Sequence, residues 1–314
     1  MLLGNFDGQG NSDLVVLTGP DGLGAEEVDD EFRSWIVPIN GDSEIDIATV
    51  KAGALIDRTF AACNALFVAV DLDDPGGDGI DEVVSLGPLF SQDAFDVIGG
   101  VVVSRVKNGT LEPISTVEEV PEIYSSPYTN ASCSLSYGVG NKQGGDTDPS
   151  QFNEAIPGQL QVADVNGDGR LDITALAFRQ PSPESFESEI VVFLNQGNGM
   201  FDVGQRKIFK IANDDPTFFR IVYSFALVNA DTDPVPEIAL AIVGAKTEID
   251  YQPEGVILYN LDLDASVLVD PRPLPQVTFD FRMTSGDLDG DGVADLIMGG
   301  LSGIQTYHGV PVIP

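Results

Sequence analysis

Five segments of the sequence repeat one short pattern, in which acidic or amide side chains stand at alternating positions. The segments begin at residues 5, 71, 164, 229 and 287, and each is followed at once by a short apolar run. We number them loops 1 to 5 and count positions from the first residue of each loop, leaving out three extra residues in loop 2. Self-similarity at such intervals is typical of folds built from repeated supersecondary units.

The stretches between the loops repeat as well. Around loop 3, apolar runs occupy residues 160–163, 173–176 and 190–194, and a fourth strand is expected within 201–211. Corresponding fourth strands are expected at 44–50, 111–117 and 266–269. Four antiparallel strands per unit, repeated radially, make the blade of a β-propeller. The sequence therefore predicts an all-β chain, a single β-propeller domain over 1–314 with about five repeats, as a complete small propeller or part of a larger one.

Two of the loops carry a specific resemblance. Residues 164–172 and 287–295 match the pattern D-x-[DN]-x-D-G-x-x-D at every position, and residues 194–201 are similar to the turn that accompanies it. The pattern resembles the FG-GAP repeats of integrin α-subunit propellers and the related VCBS repeats of secreted bacterial proteins. The resemblance implies a calcium-bearing propeller, usually extracellular, that serves in adhesion or ligand binding.

The spacing of the loop side chains suits Ca²⁺, which takes six to eight oxygen ligands. Side-chain oxygens at positions 1, 3 and 5, a carbonyl at position 7 and a carboxylate at position 9 can surround one ion, while glycine at position 6 permits a turn with positive φ. An ordinary Asp-Gly turn explains one such pair but not the whole alternating set. The strongest predicted ligand sets are Asp287, Asp289, Asp291, the Val293 carbonyl and Asp295 in loop 5, and Asp164, Asn166, Asp168, the Arg170 carbonyl and Asp172 in loop 3.

The other three loops depart from the pattern. Loop 1 has only two carboxylates, loop 2 has three extra residues between positions 3 and 5, and loop 4 has Pro234 where the turn needs glycine. Because proline is fixed near φ −65°, loop 4 is either a plain turn or a site with altered coordination. The predicted ligands are Asn5, Asp7, Gln9, Asn11 and Asp13 in loop 1, Asp71, Asp73, Asp78 and Glu82 in loop 2, and Asn229, Asp231, Asp233 and Glu237 in loop 4.

The charge of the chain limits the classes of partner that it can bind. The net charge is −35, with 34 aspartates against 16 glutamates. Nucleic acid and anionic lipid both need clustered basic side chains, so neither is an expected partner, and the longest apolar runs are too short for membrane insertion. We expect an extracellular or cell-surface protein. The first residues show no signal peptide and lie inside a repeat, which favours a segment of a longer chain.

Catalytic signatures are missing from the sequence. The sequence has no Gly-x-Ser-x-Gly motif that the single histidine, His308, could assist, so His308 is interpreted as a surface or packing residue. One histidine and two distant cysteines, Cys63 and Cys133, do not supply the ligand set of a zinc site, and the cysteines either pair or remain as buried thiols. A tyrosine-containing insertion at about 121–157 is a decorated surface loop or a binding loop.

Three functions follow from these patterns. The first is a calcium-binding module for a protein or glycan. The alternatives are a secreted polysaccharide lyase or glycoside hydrolase on a propeller fold, and a structural repeat segment of a larger surface protein or toxin.

Overall fold

The structure, a computed structural model, describes the chain in segments that belong to two compact units. The first unit comprises Met1–Pro157 and Asn195–Val203, and the second comprises Gly158–Leu194 and Gly204–Pro314. The described residues are 2–6, 8, 13–18, 33–37, 54–55, 66–73, 78–90, 97–107, 110–117, 159–182, 185–211, 219–230, 235–245, 251–274, 282–290, 295–300 and 303–308.

Within these residues the chain forms β-strands, a single turn of 3-10 helix at Val203–Gln205, and no α-helix. None of the described residues forms a helix long and apolar enough to cross a membrane. The strands are β1 (Leu2–Gly4), β2 (Asp13–Thr18), β3 (Arg33–Val37), β4 (Ala54–Leu55), β5 (Leu66–Val70), β6 (Glu82–Phe90), β7 (Val97–Lys107), β8 (Thr110–Val117), β9 (Gln159–Ala163), β10 (Asp172–Ser182), β11 (Ser185–Phe193), β12 (Lys207–Lys210), β13 (Phe219–Val228), β14 (Glu237–Ala245), β15 (Tyr251–Asp262), β16 (Val267–Pro273), β17 (Arg282–Gly286), β18 (Asp295–Gly300) and β19 (Gly303–Tyr307).

Within each sheet, every strand pairs antiparallel with its neighbours in sequence. The sheets are β1-β2-β3-β4, β5-β6-β7-β8, β9-β10-β11-β12 and β13-β14-β15-β16, with β17-β18-β19 as the part of a fifth sheet that the described residues supply. Every acidic loop joins the first strand of a sheet to the second, as the repeat predicts. The prediction of an all-β chain with four-stranded antiparallel blades is confirmed.

The second strand of a sheet is covered on both faces. In β14, residues 237–244 are all buried, and in β10 residues 172–177 are buried. A strand that has packing neighbours on both faces excludes water from both sets of side chains, so its sequence is a continuous apolar run instead of an alternating one. This is why each loop is followed by an unbroken hydrophobic stretch.

In the first unit, β1 and β5 lie side by side. Phe6, Val15 and Val83 form a buried cluster there. A methyl group on Gly4 would lie 2.6 Å from the Asp81 carboxylate and 3.1 Å from the side chain of Ala69, so only glycine permits this approach. The segment Asn195–Val203 belongs to the same unit, and its Asn195 side chain donates a hydrogen bond to the Leu72 carbonyl at 3.0 Å.

In the second unit, the first strands of the sheets are joined by side chains. Gln159 on β9 accepts hydrogen bonds from the Ser224 hydroxyl at 2.6 Å and the Phe225 amide at 2.9 Å, and donates to the Met283 carbonyl on β17 at 2.9 Å. Gln161 accepts from the Leu227 amide at 2.8 Å. These amide side chains satisfy strand-edge backbone groups that would otherwise be costly to bury. Apolar clusters around Phe209, Phe225 and Leu240, and around Met283, Leu296 and Met298, fill the space between the sheets.

Some predictions fall outside the described residues. They include the fourth strand at 44–50, the insertion at 121–157 and both cysteines, Cys63 and Cys133. The fourth strand that the structure does describe in the first sheet is β4, which pairs Ser34 with Ala54 and Arg33 with Leu55.

Candidate metal-binding loops

All five loops are closed by the same hydrogen bond. The carboxylate at position 9 accepts the backbone N–H of position 2, and each of these carboxylates is buried, with at most 3% of its residue surface exposed. The five bonds are Phe6 to Asp13 at 3.1 Å, Leu72 to Glu82 at 2.9 Å, Val165 to Asp172 at 3.1 Å, Ala230 to Glu237 at 2.8 Å and Leu288 to Asp295 at 2.8 Å.

This closure gives position 9 a structural role in addition to the predicted role as a ligand. A buried carboxylate is costly unless hydrogen bonds or cations compensate its charge. One oxygen is engaged by the position 2 amide, so the other oxygen needs its own partner. In loops 2, 4 and 5 a different basic side chain lies at that oxygen.

Loop 3 is described completely. Gly169 at position 6 has φ 86° and Gly167 at position 4 has φ 73°, so both glycines adopt the left-handed backbone that the turn requires. Asp164 accepts the amides of Gly167 and Gly169 at 2.8 and 2.7 Å, and the Asn166 side chain accepts the Asp168 amide at 2.9 Å. Side-chain oxygens at positions 1 and 3 therefore already turn toward the interior of the loop.

Asp168, at position 5 of loop 3, is held by an ion pair with its neighbour. The Arg170 guanidinium donates to Asp168 at 2.8 Å. This hydrogen bond, aided by the Arg170 amide and the Asn166 side chain, lowers the pKa of the Asp168 carboxyl. The aspartates of loop 3 do not form a cluster of converging carboxylates like the one in loop 2. A cation at loop 3 would have to draw Asp168 away from Arg170.

Loop 2 brings its three predicted aspartates together. Carboxylate oxygens of Asp71, Asp73 and Asp78 lie within 4.8 Å of one another, despite the extra residues. Gly79 at position 6 has φ 75°, and its amide donates to Asp71 at 3.0 Å. The fourth predicted ligand, Glu82, is fully buried, and burial raises the pKa of its carboxyl, although the Leu72 amide and Arg105 oppose that shift.

Arg105 lies against these carboxylates. It belongs to β7, in the position opposite Glu82 in the antiparallel register, one step beyond the Val83–Ser104 pair. Its Nε donates to the Glu82 Oε1 atom at 2.7 Å, and its Nη2 donates to the Asp73 Oδ1 atom at 2.9 Å. Its Nη1 is 4.0 Å from the Asp78 Oδ2 atom. The second oxygen of the loop 2 closing carboxylate thus has a cation from within the chain.

Loops 4 and 5 also have a basic partner at the closing carboxylate. In loop 4, Arg272 on β16 donates to Glu237 at 2.9 Å and to Asn260 at 2.9 Å. In loop 5, the Nδ1 atom of His308 lies 3.2 Å from Asp295 and 3.6 Å from Asp289. His308 follows β19 in the same register position that Arg105 has in its sheet, one step beyond the Leu296–Tyr307 pair.

Of the remaining predicted ligands, some lie within the described residues and others lie outside them. In loop 1, the Asn5 amide donates to the Asp81 carboxylate of loop 2 at 2.7 Å, and the Asn5 side chain donates to the Gly79 carbonyl. In loop 5, the Gly290 amide donates to Asp287 at 2.6 Å. Outside the described residues lie Asp7, Gln9 and Asn11 of loop 1, Asp231 and Asp233 of loop 4, and Asp291 and Val293 of loop 5.

The sequence analysis missed the basic residues at these loops. Arg105, Arg272 and His308 lie 23, 35 and 13 residues beyond their carboxylates, so no local pattern links the two. Only the strand register could have found Arg105 and His308, because both stand where the third strand passes the start of the second.

Comparisons with known proteins identify the fold and little more. No protein-family model matches the chain, and no curated protein is similar enough in sequence to match. Among solved structures, the alpha-L-arabinanase of Penicillium chrysogenum, complexed with arabinobiose, is similar with a TM-score of 0.51 and 9% identity, over 97% of this chain and 76% of that one. The chain has a β-propeller fold. An Agrocybe aegerita lectin that recognises terminal N-acetylglucosamine gives a TM-score of 0.36 and 14% identity, over 95% of this chain and 77% of that one, which is too distant to support an argument.

Proposed function

We propose that the chain is a calcium-binding β-propeller of the FG-GAP or VCBS kind that works outside the cell and binds a glycan. The observation that carries the proposal is the fivefold closure, in which a buried carboxylate ties back the first turn of every acidic loop. In loop 3, which is described completely, the closure accompanies a tight turn at positions 1, 3 and 5, which is the arrangement that a hard oxygen-seeking cation needs.

Loop 3 supports calcium most directly. Asp164 and Asn166 accept backbone amides of the loop beside glycines with positive φ, whereas Asp168 would have to leave Arg170 to bind the ion. A divalent cation held by these side chains would stabilise the folded loop over the unfolded chain, because the unfolded chain does not bring the ligands together.

Thermal unfolding tests the calcium proposal. Protein freed of divalent ions with EGTA is compared with the same protein in excess calcium and in excess magnesium. A ligand that binds only the folded state stabilises it by about 2.7 kcal/mol at a hundred times its Kd, so calcium should raise the melting temperature measurably. Asp164→Asn should reduce the rise, whereas Asp264→Asn, an exposed aspartate in the turn between β15 and β16, should leave it intact. An unchanged melting temperature in calcium would reject the proposal.

The glycan is proposed as a ligand for two reasons. The net charge of −35 disfavours nucleic acid and anionic membranes, and the similar arabinanase structure holds arabinobiose. A glycan array probed in calcium and in EGTA should show binding to a restricted set of sugars. If the purified chain instead releases reducing ends or unsaturated products from polysaccharides, the protein is an enzyme and not only a binding module.

A further inference from the structure

We infer that loop 2 needs no metal because Arg105 is its resident cation, and that loop 2 is a latent calcium site which opens when this arginine is removed. The inference rests on the proposed calcium-binding function, since it concerns which cation compensates the carboxylates of loop 2. Loop 2 would otherwise rank as a metal site, because its three aspartates converge within 4.8 Å.

The contacts of Arg105 resemble those of a bound cation. Its guanidinium reaches the Glu82 carboxylate through Nε and the Asp73 carboxylate through Nη2, and it lies within ion-pair distance of Asp78 through Nη1. A guanidinium is planar, stays charged at all ordinary pH values and carries five donors in a fixed fork. It can therefore serve carboxylates on several sides at once, as a calcium ion does.

The buried carboxylate of Glu82 determines whether loop 2 binds Arg105 or a calcium ion. Glu82 is fully buried, and its Oε2 atom is taken by the Leu72 amide while its Oε1 atom faces Arg105. A calcium ion bound to Glu82 and Asp73 would have to share both carboxylates with a guanidinium of like charge or displace it. Displacement would separate Arg105 from a buried carboxylate that no water reaches. The ion pair with Arg105 is therefore favoured over a bound calcium ion in loop 2.

The residue at position 9 differs between the loops whose partner is an arginine and the loop whose partner is a histidine. Loops 2 and 4, whose closing carboxylates are bound by Arg105 and Arg272, have glutamate at position 9, whereas loop 5, whose closing carboxylate lies beside His308, has aspartate. The longer glutamate can accept the loop amide with one oxygen and extend the other to a guanidinium.

Calcium stoichiometry and stability test the inference on the full chain. In Arg105→Gln, we expect one more equivalent of bound calcium by isothermal titration calorimetry, a lower melting temperature than wild type in EGTA, and a larger rise on adding calcium. The matched control is Lys107→Gln on the same strand, which removes a mostly exposed ion pair with Glu112 and should change none of these quantities. Unchanged stoichiometry and unchanged stability of Arg105→Gln in EGTA would overturn the inference.

A second variant keeps the test decisive if Arg105→Gln does not fold. Asp78→Asn in the wild-type background alters an exposed side chain of loop 2, and we expect its calcium stoichiometry to equal that of wild type. The loss of one equivalent would show that loop 2 binds calcium beside Arg105 and would refute the inference. If the wild-type chain binds no calcium at all, the proposed function fails instead, and that result is distinct from either outcome for the two loop 2 variants.

Discussion

Replacing Asp172 by alanine tests the closure that all five loops share. Asp172 is fully buried, and its Oδ2 atom accepts the amide of Val165, which is also fully buried. Alanine leaves that amide without its acceptor in a place that water does not reach. An orphaned buried donor costs about 1–3 kcal/mol, and we expect the upper part of that range because the lost acceptor is charged.

Asp172→Asn separates the hydrogen bond from the charge. Asparagine has nearly the same shape and keeps one carbonyl oxygen for the Val165 amide, so it should lose less than the alanine variant, about 1 kcal/mol. Urea unfolding in EGTA measures both variants without any contribution from bound calcium. Asp264→Ala, an exposed position, is the control and should remain within about 0.5 kcal/mol of wild type. If Asp172→Ala were as stable as this control, the closing hydrogen bond would have no energetic role and the reasoning on all five loops would be wrong.

Further variants test the turn, the strand contacts and the ion pair. Gly169→Ala places a side chain at φ 86° and should lower the free energy of unfolding by about 1–3 kcal/mol, measured in urea. The control is Gly286→Ala, where φ is ordinary and the surroundings are open, and it should lower the free energy of unfolding by less. Gln159→Leu removes the side-chain acceptor of two hydrogen bonds to β13 and should destabilise the second unit by about 2 kcal/mol, read as loss of amide protection in β9 and β13 by hydrogen exchange. Because folding lowers the pKa of Asp168, the ionised carboxylate stabilises the folded chain above its usual pKa, and this stabilisation is lost as pH falls through the pKa of the folded state. Wild type should therefore lose more stability than Asp168→Asn between pH 5 and about pH 3. Equal losses would contradict the Arg170 contact.

Much of the fold was predictable because the signals are local. A strand buried on both faces must be apolar throughout, and a turn at positive φ must use glycine, so the runs after the loops and Gly169 follow from backbone chemistry alone. The observed β10 (Asp172–Ser182) and β14 (Glu237–Ala245) contain the predicted runs at 173–176 and 238–243. The ends of strands were less predictable, because they depend on how long pairing with a neighbour continues.

The sequence by itself determined the repeat, the all-β fold and the position of every acidic loop, since these depend on residues within a few positions of one another. It also placed acids at alternating positions, which made calcium the expected cation. Only the tertiary structure decided how each loop is compensated. Arg105 and His308 reach their carboxylates through strand register, and Arg272 does so from the fourth strand, so the same acidic pattern has a different basic partner in each of these three loops. Electrostatic compensation depends on distance in space, and distance in space is fixed only when the strands pair.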